Sequence, residues 1–224
     1  WGTAWFRLRF TIPAAMRGKT VALHFNPGGE SLIFRDGLPV QGLSWTRYEY
    51  IVTPRARGGE RIELLVEAGA NAAFGDFSKR TMEQPQLWVL NREVWDAHWD
   101  LNALSLMVDP TEHKSWLGNR TKQALKKDDP WRAKIIYALN KAVDLFDYDS
   151  PGSEDLRRQA LRVREALKPV YARRATDSAQ TMACFGHAHI DVAWLWPLAE
   201  TVRKCGRTFS NMITLMDQYP DFKF

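Results

Sequence analysis

Two periods follow one another along the chain. Up to about residue 85, apolar and polar positions alternate. Phe6, Leu8, Phe10 and Ile12 interleave with Trp5, Arg7, Arg9 and Thr11. Alternation at period two marks a half-buried strand. Val21 to Phe25, Leu32 to Phe34, Leu38 to Val40, Tyr48 to Val52 and Arg61 to Val66 add further short strands. Turn clusters separate them: Asn26-Pro-Gly-Gly29, Asp36-Gly37 and Gly58-Gly59. Short strands at such close spacing predict a β-sandwich of jelly-roll type over residues 1–85.

The period then changes to that of a helix. Residues 86–178 read as a helical linker region. Its first part, Asn91 to Leu106, is rich in Trp and Asp and joins the two regions. Asp129 followed by Pro130 is a good helix entry. Ile135, Leu139, Ala142 and Phe146 follow at helical spacing. Asp149-Ser-Pro-Gly152 breaks that helix. A second starts near Ser153, with the stripe Leu156, Ala160, Val163 and Leu167 ending before Pro169. The pair predicts an antiparallel hairpin that acts as a spacer.

Residues 179–224 carry the candidate chemistry. Met182 to Pro197 reads MACFGHAHIDVAWLWP. A short apolar run ends in Gly186, as at the C-terminal exit of a buried parallel strand, where open α/β sheets place their sites. His187, His189 and Asp191 follow at steps of two. In an extended backbone such residues leave one face. Imidazole and carboxylate are ligands that a divalent zinc ion accepts. Spacing alone leaves an incidental His-x-His open. A polar cluster at a buried strand's exit, costly to bury without a partner, argues for a site. Trp194 and Trp196 add flat rings of the kind that meet sugar faces. After Pro197 a long helix follows, with Leu198, Val202, Cys205, Phe209, Met212, Met216 and Tyr219 as its apolar stripe. Phe222-Lys-Phe224 reads as the next strand. The fold class expected is therefore multi-domain, α+β and α/β: a sandwich, a helical spacer, then the first βα unit of a truncated parallel α/β catalytic domain.

The segment Gly186 to Pro197 closely resembles the opening motif of glycoside hydrolase family 38, the retaining α-mannosidases. Arg203 to Ser210, Gln218 to Phe224, Trp5 to Pro13 and Gly28-Gly-Glu30 are similar to the bacterial and cytosolic branch of that family. The resemblance implies that His189 and Asp191 bind zinc, or cobalt in its place. It implies that Trp194 flanks the bound mannose and that His187 stands outside the metal ligands, as a supporting residue behind them. The nucleophile and acid/base implied by the family would lie beyond Phe224, so the chain reads as the front part of such an enzyme, inactive by itself. The implied partner is a mannose-containing oligosaccharide.

Composition narrows the rest. An apolar content of 45% is too high for a disordered chain. The net charge of +5 comes largely from Arg and Lys on predicted helices, including Arg157, Arg158, Arg162 and Arg164. No concentrated basic stripe speaks for nucleic acid. No apolar run is long enough to span a membrane. Two cysteines, Cys184 and Cys205, make no disulfide framework and read as small core residues. That usage fits a reducing, cytoplasmic location. An unpaired sheet edge at Phe224 would favour a homo-oligomer. An amidohydrolase-like metal site and a carbohydrate-binding fragment without catalysis are the alternative readings.

Overall fold

A computed structural model describes residues 1–70, 81–109, 125–147, 149 and 152–224. Contacts divide it into two compact units, one formed by residues 1–90 with 181–224, the other by residues 91–180.

The first unit contains a two-sheet sandwich. One sheet has the order β1 (Thr3–Thr11), β6 (Arg61–Gly69), β3 (Ser31–Arg35), β4 (Leu38–Leu43). The other has the order β5 (Glu49–Thr53), β2 (Thr20–His24), β7 (Gln86–Leu90). All pairings are antiparallel. The alternating apolar positions of β1 point inward, and Val21, Leu23, Phe25, Ile33, Leu64 and Val66 fill the space between the sheets. At the β3–β4 hairpin both Asp36 (φ 53°) and Gly37 (φ 81°) are left-handed, the twist a two-residue hairpin needs. β7 falls where a helical region is expected. Its five residues pair with β2 in the register Ala22 to Trp88.

A helix, α4 (Leu198–Gln218), packs on the outer face of β3 and β4. Two glycines make the close approach. A Cβ on Gly42 would stand 2.9 Å from the backbone oxygen of Arg207, and one on Gly206 would stand 3.1 Å from Leu32 Cδ2. Thr214 Oγ1 donates to the Val40 carbonyl at 2.7 Å and ties the helix to the strand end.

The face that α4 buries is the reverse of the expected one. Glu200, Thr201, Arg207 and Ser210 are buried, whereas Leu198, Val202, Phe209 and Ile213 are exposed. Residues 182–186 likewise form no strand ladder, and Met182 and Phe185 are exposed. A buried parallel strand needs partners on its edges and layers on its faces. Here a single backbone bond, from Gly186 N–H to the Lys223 carbonyl at 2.7 Å, marks its side-by-side run with the tail. Cys184 is exposed and Cys205 half-buried, so neither is a core residue.

Among the described residues, the second unit holds the expected pair of helices, packed on one another, and a third helix that packs on both. It comprises α1 (Arg92–Val108), α2 (Pro130–Val143) and α3 (Ser153–Tyr171), each packed on the other two. Asn91 caps α1 by accepting from Val94 N–H at 3.3 Å. Asp129 caps α2 by accepting from Trp131 N–H at 2.8 Å, with Pro130 at the first position. α3 continues through Pro169, where the sequence predicts its end. Of the expected break before it, Ser150 and Pro151 lie outside the described residues. Ala97, Leu104, Ile135, Ala142, Ala160, Val163 and Leu167 form the core. Arg157, Arg158, Arg164 and Lys168 of α3 are engaged in ion pairs. Arg157 donates to Glu93 at 2.7 Å, which holds the Glu93 carboxyl below the usual carboxylate range. Arg164 reaches Asp100 at 2.8 Å. Exposed pairs of this kind add little stability.

The Gly42 contact yields a first prediction. Gly42→Ala should lower stability by about 1–3 kcal/mol through overpacking against the helix backbone. A urea midpoint equal to that of the parent chain would contradict it.

Candidate metal centre

The site sits on the loop that enters α4. Gly186 has a packing reason. A Cβ there would come within 2.8 Å of Phe224 Cδ2 and 3.0 Å of Phe222 Cζ. A side chain there would have to displace the two rings of the tail.

Beyond it, His189 Nε2 and Asp191 Oδ1 stand 2.9 Å apart in a hydrogen bond. Both side chains are open to solvent, at 75% and 42% exposure. The two groups point the same way, and neither is sunk in an apolar interior. With metal–ligand distances near 2.0–2.2 Å, two donors on one ion sit roughly 3 Å apart. The separation is the one two donors on a single ion would have, and in this structure the two atoms face each other in a hydrogen bond. His187 is exposed and, among the described residues, hydrogen-bonds to neither. Among the described residues no group of three or more His, Cys, Asp or Glu side chains gathers to hold an ion.

The two tryptophans part company. Trp194 is 58% exposed, its ring at 86° to that of Trp196 and 5.4 Å away. Trp196 is buried, donates from Nε1 to Thr201 Oγ1 at 3.1 Å, and lies under the Lys204 ammonium at 4.6 Å. It is a packing residue, whereas Trp194 keeps much of its ring exposed. Glu30, His189, Ile190, Trp196, Lys204, Arg207 and Thr208 line a cleft of about 220 Å³ beside the pair.

What holds the loop against the sandwich is a buried ion network. Arg207 Nη1 donates to Glu200 Oε1 at 2.6 Å, and Nη2 to Glu67 Oε2 at 3.1 Å. Arg203 reaches Glu200 at 3.2 Å and Glu67 at 3.5 Å. Lys204 Nζ donates to Glu30 at 2.8 Å. Three carboxylates face three cations, so the cluster is neutral. Glu67 comes from β6 and Glu30 from the turn before β3, and the other members from α4. Sequence patterning does not reveal it. Glu200, Lys204 and Arg207 recur at helical spacing on one face, which reads as solvent-facing when no partner is in view.

With fold and site in place, kinship can be stated. The family description "Alpha-mannosidase, jelly roll domain" matches residues 1–108. The "Glycosyl hydrolases family 38 N-terminal domain" matches residues 179–224, which take in the loop and α4. Residues 179–224 thus carry the family 38 signature, and the whole chain is similar to the front part of α-mannosidases. It is 34% identical over 234 residues to Alpha-mannosidase 2C1 of Homo sapiens and 28% identical over 240 residues to Alpha-mannosidase G of Dictyostelium discoideum. It is also 28% identical over 240 residues to Alpha-mannosidase of Saccharomyces cerevisiae. Each alignment covers 100% of this chain and 20–21% of the relative, so the chain spans about a fifth of their length. Family 38 kinship leaves the amidohydrolase alternative without support.

The network yields a second prediction. Arg207→Met should cost about 3–5 kcal/mol, because Glu67 and Glu200 would stay buried with their main counter-charge gone. Chemical denaturation of the variant measures it, and a loss below about 1 kcal/mol would show the network to be dispensable.

Proposed function

We propose that this chain carries the metal-binding front of a retaining α-mannosidase acting on terminal α-linked mannose in oligosaccharides. The observation that carries the reading is the 2.9 Å convergence of His189 and Asp191 on an open surface, inside the family 38 match. His189 and Asp191 would be two ligands of one divalent ion, zinc in the first instance and cobalt as the alternative. The donor set of one imidazole and one carboxylate suits such an ion. When bound, the ion would supply a template and Lewis acid for sugar hydroxyls. Trp194 would lie along the sugar ring with its exposed face. His187 would stand behind the ligand pair without joining it.

Retaining glycosidases work with two carboxyl groups about 5–5.5 Å apart. Asp191 is engaged with His189 and suits a ligand better than a nucleophile. We assign neither the nucleophile nor the acid/base to residues 1–224. Two unpaired thiols, Cys184 and Cys205, support a reducing, cytoplasmic setting. No helix among the described residues is long and apolar enough to cross a membrane.

Titration calorimetry with Zn²⁺ tests the assignment. The chain should bind weakly, and His189→Ala and Asp191→Asn should each lower the affinity at least roughly tenfold, each removing one of two ligands. Equal affinity in parent and both variants would refute the ligand pair. Residues 1–224 should leave p-nitrophenyl α-mannoside intact, and turnover would place the reacting carboxyls inside this chain.

A further inference from the structure

The loop from Asp191 to Trp196 is short, exposed on one side and strained at one point. Ala193 has φ 58°, a left-handed conformation that residues with a Cβ avoid. Such a conformation persists only where surrounding contacts impose it. Here the contacts converge on one atom. Thr201 Oγ1 accepts from the Ala193 backbone N–H at 3.0 Å and from the Trp196 indole N–H at 3.1 Å. It lies 3.4 Å from the Asp191 carbonyl, to which it donates. A hydroxyl has one proton and two lone pairs, so all its capacity is spent on this loop. Thr201 is buried in the first turn of α4, and its own N–H returns to the Pro197 carbonyl at 3.3 Å. The helix in turn is anchored by the ion network.

We propose that Thr201 is the positioning residue of the metal site, resting on the ligand reading given above. It fixes the backbone of Asp191 and the turn at Ala193, and so sets where the Asp191 carboxylate meets His189 and where Trp194 faces. It touches neither ion nor sugar. Groups that orient ligands from behind in this way commonly govern metal affinity by ten- to a hundredfold.

The test compares Thr201→Val, of the same shape without the hydroxyl, with Thr201→Ser, which keeps it. Zn²⁺ affinity of the 224-residue chain should fall about tenfold or more in T201V and recover in T201S. A metal-free readout accompanies it. Hydrogen exchange of the Ala193 amide and the Trp196 indole N–H should accelerate at least roughly tenfold in T201V and return to the parent rate in T201S. Should T201V not fold, Thr201→Ala repeats both measurements without the added methyl. Equal Zn²⁺ affinity in parent and T201V would overturn this proposal alone, and so would unchanged exchange at both N–H groups. Absence of Zn²⁺ binding in the parent chain would overturn the ligand reading and this proposal with it.

Discussion

Everything near the site depends on an ion network between one helix and one sheet, in which Glu67, Glu200 and Arg207 are buried and Glu30, Arg203 and Lys204 are partly exposed. Glu30, Glu67 and Glu200 meet Arg203, Lys204 and Arg207 at distances of 2.6 to 3.5 Å. Taking ions out of water costs several kcal/mol each, and the cost is recovered only when partners are close and well aligned. That requirement makes the arrangement selective. A slide of α4 by one turn would part Arg207 from Glu67 while both remain in a dry environment. Apolar packing tolerates such slides far better, since it has no direction. The network thus fixes the register of α4 on β3 and β4, and Gly42 and Gly206 let the backbones come close enough for it to form.

The chain of constraint then runs from the sandwich to the chemistry. The sheet fixes Glu67, Glu67 holds Arg207, and Arg207 sits on the helix whose first turn carries Thr201. Thr201 holds the loop, and the loop holds Asp191 against His189. Each step is a directed polar contact. The sandwich accordingly acts here as a buttress for the loop that carries His189 and Asp191. It also accounts for the inverted amphipathicity of α4. The polar face is buried because it has ionic partners there, and Val202, Phe209 and Ile213 are left outward.

Much of the architecture was legible beforehand. The alternation in residues 5–12 placed β1, Asp36-Gly37 marked a hairpin, and the Asp129-Pro130 pair marked the start of α2. These are local signals, each set by a residue and its near neighbours. β7 and α1 were less so. Gln86 to Leu90 is a strand because β2 offers an edge, and Asn91 to Val108 is a helix whose apolar positions are diluted by half-exposed tryptophans. Continuation of α3 past Pro169 is a tertiary override of a strong local preference.

The sequence by itself determined the candidate ligands, their spacing and the family motif around them, because ligand chemistry resides in residue type and in the reach of a few backbone bonds. Tertiary structure alone decided that His189 and Asp191 converge, that Trp194 is open while Trp196 is buried, and that the charged face of α4 turns inward. The physical reason is that burial of a charge is settled by its partner. Glu200 is a near neighbour on the same helix, but Glu30 and Glu67, the partners that draw this face onto the sheet, lie more than a hundred residues away, in a turn and a strand whose own patterns give no hint of a helix to come.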